Sequence, residues 1–202
     1  MPSQSNILPQ PPQPQFPQTP GSQFLAPSQL NPGLQGGSVG EPFYFERSHP
    51  FSHVSAFPVH YDNKIYPTAY HLWEAMKYID ARPDIASKIR KCGNKAREVS
   101  HFLKTLDPGD VSAIRPDWEQ VMFAKMDEVL YLKFTQREDL RTQLLALHPK
   151  PMIYLSKRDT FWGAISLPPN PLEGRNELGK SLERVRGRIL MELGGMGLRQ
   201  GP

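Results

Sequence analysis

Apolar residues recur every three or four positions along most of the chain between residues 68 and 190, which is the spacing of amphipathic helices. The clearest stripe contains Leu72, Trp73, Met76 and Ile79, and the hydroxyl of Thr68 precedes it where it can cap the helix. The pattern predicts five further helices, which begin at Pro83, Asn94, Pro116, Arg137 and Asn176. We expect the helix that begins at Pro116 to be the longest.

Short aromatic and β-branched runs bounded by turn residues predict a few strands. Val59–Tyr61 and Lys64–Tyr66 flank Asp62-Asn63, a pair of turn residues that favours a hairpin. Further strands are predicted at Phe43–Phe45 and Met152–Leu155, and irregular loops at Asp107–Asp110 and at the proline-containing stretch Ala164–Gly174. The pattern therefore predicts an α+β fold, a helix-dominated single domain with a few short strands.

Residues 1–40 differ in composition from the rest of the chain. They contain no Asp, Glu, Lys, Arg or His, and they hold nine of the 22 prolines together with eight glutamines. Such a segment cannot bury enough apolar surface to offset the entropy of ordering, so we expect a disordered tail. The expected organisation is this tail, a folded domain over residues 41–193 and a flexible tail over residues 194–202.

Composition excludes several classes of protein. The single cysteine, Cys92, excludes a disulfide framework and a cysteine-rich zinc site, and the six histidines lack metal-binding spacing, so we expect no metal. The chain has no nucleotide-binding glycine motif, and we expect no cofactor. No apolar run reaches the ~18 residues of a membrane span, and the N-terminus lacks the pattern of a signal peptide. We therefore expect an intracellular, cytoplasmic protein that does not contact a membrane.

Basic residues cluster between residues 88 and 104, although the net charge of the whole chain is only +4. The cluster holds one carboxylate, Glu98, against Lys88, Arg90, Lys91, Lys95, Arg97 and Lys104. Such a stretch is usually a solvated helical face, and the alternative is a surface that contacts phosphate. We do not expect a nucleic acid partner, because no nucleic-acid recognition motif accompanies the cluster.

Two short clusters combine aromatic rings with carboxylates. The first is Thr68–Lys77, in which Tyr70 and Glu74 are four residues apart and therefore share one face of the predicted helix. The second is Asp159–Gly163, in which a carboxylate precedes the indole of Trp162 by three residues. The ordinary interpretation of these residues is a core tryptophan and a capped turn.

A third cluster, Gly174–Gly179, reads as the start of a helix flanked by glycines. The free backbone N–H groups of a helix start suit phosphate, and Arg175 adds a guanidinium, whereas the ordinary interpretation is a turn with Asn176 as the cap. Together the three clusters predict a pocket with aromatic walls, a carboxylate and a phosphate-binding helix start. Such a pocket suits a nucleotide or a phosphorylated ribose.

Taken in order, these clusters resemble the NADAR family, which is named for its link to NAD and ADP-ribose metabolism. The resemblance covers residues 43 to about 190 and rests on the ordered set of motifs rather than on any one of them. The matching segments are Phe43-Tyr44, Ser55–Phe57, Pro67–Tyr78, Ile89-Arg90, Arg115–Val121, Leu130–Phe134, Asp159–Gly163 and Gly174–Leu182.

The resemblance implies an N-glycosidase-like NADAR fold and hydrolysis of the N-glycosidic bond of a ribosylated phosphate, either a riboflavin-pathway intermediate or ADP-ribosylated guanine. The implied partner is a ribose phosphate, ADP-ribose or a similar nucleotide-like small molecule. Asp159 is the implied catalytic carboxylate, and the implied ligand-binding residues are Arg115, Trp118, Trp162, Gly163, Arg175, Asn176 and His71.

The chain departs from the family pattern at three places. The pattern carries a catalytic Glu where this chain has Tyr70, and a phenol with an ordinary pKa of about 10 cannot replace a carboxylate at neutral pH. The asparagine of the S-N-F motif is Ala56, and the loop after Gly163 is longer and richer in proline than the family's glycine-rich loop. Glu74 stands where the family usually has Gln, one helical turn from Tyr70, and is either a relocated catalytic carboxylate or a partner in a structural hydrogen bond.

Three functions follow as alternatives. The first is an active N-glycosidase that uses Asp159 and Glu74. The second is a catalytically impaired NADAR relative that binds an ADP-ribose-like ligand, and Tyr70, Ala56 and the rewritten loop favour it. The third is an interaction protein whose residues 1–40 recruit protein partners. Whether the chain is an enzyme stays open at this stage, because its usual catalytic position is altered.

Overall fold

The computed structural model describes residues 40–165 and 172–197 of the 202-residue chain. The strands are β1 (Phe43–Phe45), β2 (Val59–Tyr61), β3 (Lys64–Tyr66) and β4 (Met152–Tyr154). The helices are α1 (Ala69–Ala75), α2 (Pro83–Arg90), α3 (Ala96–Leu103), α4 (Pro108–Ser112), α5 (Trp118–Thr135), α6 (Glu138–Ala146) and α7 (Glu177–Gly197). The predicted helix-dominated α+β fold is confirmed.

The core lies where the long helices meet. Helix α5 packs against α7, α1 and α6, and α1 also packs against α2. Leu72, Ile85, Leu130 and Leu182 are fully buried at these contacts, as the helical stripes of the sequence predict. The hydroxyl of Thr68 caps α1 as expected, because its Oγ1 accepts a hydrogen bond from His71 N at 3.2 Å.

Two small sheets position the loops around the helices. Strand β1 pairs in parallel with β4, so that Phe43 faces Met152 and Phe45 faces Tyr154. Strands β2 and β3 form the predicted hairpin, and its turn residue Asn63 adopts a positive φ of 55°. The parallel pair joins segments more than a hundred residues apart and brings the start of the domain next to the chain that follows β4.

Several element boundaries differ from the prediction. Residues 107–110 are not a loop, since Asp107 Oδ1 accepts from Asp110 N at 2.8 Å and so caps the short helix α4. The longest helix is α7, with 21 residues, rather than α5, with 18. Helix α3 begins at Ala96 rather than at Asn94, and the Glu98 carboxylate in its first turn accepts the backbone N–H of Lys95 at 2.9 Å.

Parts of the predicted tails and loops lie outside the described residues. These are the N-terminal segment before Gly40, residues 166–171 of the proline-containing loop, and residues 198–202. Helix α7 continues to Gly197, four residues beyond the predicted end of the domain at residue 193. No helix of the described ranges is long and apolar enough to span a membrane.

Candidate functional site

A cavity of about 1350 Å³ opens between α1, α3 and the chain that follows β4. Its lining combines aromatic rings, carboxylates and basic side chains. The lining includes Glu46, Arg47, His53, Tyr70, Trp73, Glu74, Lys77, Arg97, Ser100, His101, Lys104, Lys157, Arg158, Asp159 and Trp162. Four of the predicted site residues therefore share this cavity, namely Tyr70, Glu74, Asp159 and Trp162.

Tyr70 and Glu74 lie on one face of α1, as their four-residue spacing predicts. The Glu74 side chain is almost fully buried, and its Oε2 lies 2.7 Å from Lys77 Nζ. This contact has the length of an ion pair but not the angles of a hydrogen bond, so Oε2 accepts no hydrogen bond. The phenol oxygen of Tyr70 lies 3.2 Å from Ser100 Oγ on α3. Burial and the nearby Glu74 charge raise the pKa of Tyr70, so it is a neutral hydroxyl at physiological pH.

Indole rings form the walls of the cavity beside these polar groups. The rings of Trp73 and Trp162 meet edge to face with centroids 5.4 Å apart, and Tyr70 stacks on Trp73 at 6.4 Å. Trp73 is oriented by a hydrogen bond from its Nε1 to Met122 O at 3.1 Å. Trp73 is almost fully buried, and the half-buried Trp162 offers the ring surface on which a planar base can stack.

Asp159 begins the turn that carries Trp162 into the cavity. Its Oδ1 accepts hydrogen bonds from Trp162 N at 2.9 Å and Phe161 N at 3.2 Å. Gly163 lies so close to the neighbouring chain that an added Cβ would stand 2.8 Å from Tyr154 O. Gly163 therefore serves close backbone packing, and Asp159 has a structural role in addition to its place in the cavity.

Basic side chains surround the cavity. The lining holds three carboxylates, Glu46, Glu74 and Asp159, against six cations, Arg47, Lys77, Arg97, Lys104, Lys157 and Arg158. Arg97, His101 and Lys104 follow one another at helical spacing along one face of α3. The sequence signal for this rim was the basic stretch 88–104, of which Arg97 and Lys104 reach the cavity.

His53 lines the cavity and carried no sequence signal. Its ring packs edge-on against Tyr70, with centroids 5.7 Å apart, and lies 6.4 Å from that of Trp162. Its Nδ1 is buried without a hydrogen-bond partner. Burial, with smaller contributions from the positive charges of Lys133 and Arg47, lowers the pKa of His53 to about 3. The imidazole is therefore neutral at physiological pH.

Two predicted ligand-binding residues have structural roles. His71 is buried within α1, and its Nδ1 lies 2.8 Å from Thr68 Oγ1. Asn176 has a φ of 51° and fastens β4: its Nδ2 donates to Met152 O at 2.8 Å and its Oδ1 accepts from Tyr154 N at 2.9 Å. The amide of Asn176 thus bonds to the strand rather than capping α7, which corrects the prediction of a cap.

Three further predicted ligand-binding residues lie outside the cavity lining. Arg115 is held by Asp117, with Nε to Oδ1 at 2.6 Å, and Trp118 packs behind Trp73 with ring centroids 5.1 Å apart. The guanidinium of Arg175 covers the ring of Phe161 at 4.5 Å. Intramolecular partners occupy all three side chains, so the predicted phosphate site at the start of α7 is not part of this cavity.

A second cavity of about 760 Å³ adjoins the first. Ala56, the position at which the S-N-F motif is altered, lines it together with Phe57, and the two cavities share Arg47 and Arg97. Among the side chains of the described residues, no group of three or more His, Cys, Asp or Glu could hold a metal ion.

Fold and site together define a helix-dominated α+β domain with a large, basic-rimmed, aromatic-walled cavity that contains carboxylates, a type of site suited to a phosphorylated sugar or nucleotide. The family model of the NADAR domain matches residues 41–190. The chain belongs to the NADAR family.

Characterised relatives and a solved structure agree with this assignment. The chain is 31% identical over 144 residues to N-glycosidase YbiA of Escherichia coli strain K12, a match that covers 70% of this chain and 82% of that protein. It is 34% identical over 76 residues to N-glycosidase R617 of Acanthamoeba polyphaga mimivirus, which covers 34% of this chain and 45% of that protein. The NMR structure of Escherichia coli YbiA superposes with a TM-score of 0.61 at 26% identity, over 76% of this chain and 89% of that one.

Proposed function

We propose that the larger cavity binds a ribosylated phosphate and that the chain hydrolyses its N-glycosidic bond, with Asp159 and Glu74 as the participating carboxylates. The observation that carries the proposal is that one cavity collects these carboxylates, the indoles Trp73 and Trp162, and six basic side chains. The named N-glycosidases among the relatives support the same class of reaction. The candidate substrates are ribosylamino phosphates of the riboflavin pathway and ADP-ribosylated guanine.

The proposed chemistry follows from the charge that develops on the sugar. When the bond from C1′ to nitrogen breaks, positive charge accumulates on the ribose ring, and a nearby carboxylate stabilises it or takes a proton from the attacking water. Water supplies the hydroxyl at C1′, and the leaving nitrogen takes up a proton. The backbone N–H groups that bind Asp159 Oδ1 fix the orientation of this carboxylate. The indole walls stack on the leaving base, and the basic rim holds the phosphate.

A second candidate function is binding of the same ligand without turnover. Tyr70 favours it, because the family pattern has a carboxylate at this position and the neutral phenol of Tyr70 supplies no negative charge. The ion pair with Lys77 also favours it, since it occupies Glu74 with a structural partner. A displacement of about 1 Å in a catalytic group can cost ~10²-fold in rate, and Glu74 is a full helical turn from position 70.

Turnover assays on three variants separate the two functions. If the chain is an active N-glycosidase, Glu74→Gln or Asp159→Asn lowers the rate of base release by about 10²-fold or more. If it only binds, the wild type releases no base and Tyr70→Glu gains activity. Tyr44→Glu is the matched control, because Tyr44 is an exposed tyrosine on β1 outside the cavity lining. If neither the wild type nor Tyr70→Glu binds or cleaves any candidate substrate, the proposal is contradicted.

A further inference from the structure

Lys133 is a fully buried lysine in the middle of the helical core, on α5. Its Nζ donates hydrogen bonds to Ser52 O and Ser55 Oγ, both at 2.7 Å, and also to Pro50 O. An ammonium group has three N–H donors, so every donor of Lys133 is used on one segment of chain about eighty residues away in sequence. None of the three acceptors is a carboxylate, and burial lowers the pKa of Lys133 to about 7, so only backbone and hydroxyl dipoles stabilise its ammonium form.

This segment, residues 50–57, forms one wall of both cavities. It contains no helix or strand, and His53 and Val54 extend from it into the larger cavity while Ala56 and Phe57 line the smaller one. The carbonyl of His53 also accepts the backbone N–H of Tyr70 at 2.9 Å, next to the N-terminus of α1. The segment that bonds to Lys133 is therefore also hydrogen-bonded to Tyr70, the altered catalytic position.

Burying a lysine in a protein core is energetically unfavourable. Removing an ammonium group from water is unfavourable, and a methionine of similar length fills the same volume without that cost. Packing alone therefore does not account for an ammonium at position 133. Without it, Pro50 O and Ser52 O would keep only donors from Ser55 within the same segment, and the segment would lose its hydrogen bonds to α5.

We propose that Lys133 is a positioning residue that fixes residues 50–57 as the wall of the ligand cavity, and that ligand affinity depends on this clamp. The effect of Lys133 on ligand affinity rests on the proposed function, whereas its effect on the conformation of residues 50–57 does not. Ser55 is the second part of the clamp, because its hydroxyl accepts from Lys133 and shares its single O–H donor between Pro50 O and Ser52 O.

Amide hydrogen exchange of the full chain tests the clamp without any ligand. In Lys133→Met the protection of Ser52, Ser55, Phe57 and Tyr70 should fall by about tenfold or more, the loss expected for hydrogen bonds to a charged group, while α7 stays protected. Lys125→Met is the matched control on the same helix, since Lys125 pairs at the surface with Glu128 and should leave exchange unchanged. A uniform rise over α5 and α7, or no rise at residues 50–57, would overturn the proposal.

If Lys133→Met does not fold, Ser55→Ala tests the network by itself: it should raise exchange at residues 50–57 and leave α7 protected. If Lys133→Met folds, the double variant should match Lys133→Met alone, because both changes act on one network. Additive effects would show independent roles and contradict the clamp. With ADP-ribose as the probe, Lys133→Met should weaken binding about tenfold relative to Lys125→Met. A wild type that does not bind ADP-ribose would count against the proposed function and leave the exchange result to decide the role of Lys133.

Discussion

At the scale of single residues, the cavity is built from groups whose charge state the fold controls. Tyr70 is kept neutral by burial beside Glu74, and His53 is kept neutral by burial without a partner for Nδ1. The carboxylate of Asp159 is fixed by backbone N–H groups. These environments determine which groups can move a proton at neutral pH and which only shape the cavity.

Two substitutions of Asp159 should separate its structural role in the turn from its role as a charged group. Asp159→Asn keeps an oxygen that accepts the N–H groups of Phe161 and Trp162, so its free energy of unfolding should stay within about 0.5 kcal/mol of the wild type. Asp159→Ala removes the acceptor and should lose about 1 kcal/mol. Urea denaturation checks both values. Equal losses of unfolding free energy in the two variants would mean that the fold requires the negative charge of Asp159 rather than its hydrogen bonds within the turn.

The lowered pKa of His53 predicts how the free energy of unfolding changes with pH. Its pKa of about 3 in the folded chain is below the ordinary value of 6.5, so the unfolded state binds more protons between these pH values. Stability from this group is complete above pH 6.5 and falls with acid, with a limiting slope of about 1.4 kcal/mol per pH unit. His53→Gln should flatten the decline of the unfolding midpoint between pH 6.5 and 4, whereas the exposed His60→Gln should not. Parallel curves for wild type and His53→Gln would refute the assignment.

At the scale of elements, the contact between β4 and α7 holds the Asp159 turn in place. Asn176 bonds to both ends of β4, and Gly179 lies in the first turn of α7 directly against the strand. A Cβ at position 179 would stand 2.0 Å from Met152 O and 2.5 Å from Asn176 Nδ2, so the helix and the strand can only meet through a glycine. The G-x-N-x-L-G motif thus determines a packing contact.

Two alanine substitutions in α7 should have opposite effects. Gly179→Ala forces the helix away from β4 and should lower the free energy of unfolding by about 3 kcal/mol or more. Gly187→Ala adds a methyl group where nothing lies within 4 Å, and it should raise stability by about 0.5 to 1 kcal/mol because alanine favours the helix. Thermal or urea unfolding measures both. A Gly179→Ala variant as stable as the wild type would contradict the proposed contact.

At the scale of the whole molecule, helical periodicity and caps predicted the helix-dominated α+β fold because they are local signals. The hairpin at Asp62-Asn63 was predictable for the same reason. Arg47, His53 and the basic pair Lys157-Arg158 were not identified, because the parallel pairing of β1 with β4 and the wall 50–57 bring them to the cavity from distant parts of the sequence.

Two predicted ligand-binding residues have partners within the fold. His71 and Asn176 are polar residues in motifs next to the site, which from sequence alone looks the same as a ligand contact. In the structure their polar atoms bond to Thr68 and to the backbone of β4. A sequence shows that a residue is polar, but whether its partner is another part of the fold or a ligand depends on burial.

The central claim is that the basic-rimmed cavity binds a phosphorylated ribosyl ligand, and a calorimetric titration of the full chain with ADP-ribose tests it most directly. The account predicts binding by the wild type and a loss of about tenfold or more in Arg97→Glu/Lys104→Glu, since both side chains line the cavity. The matched double variant Lys88→Glu/Lys91→Glu reverses two exposed charges at α2 outside the lining and should bind as the wild type does. No binding by the wild type, or equal weakening in the two double variants, would contradict the account.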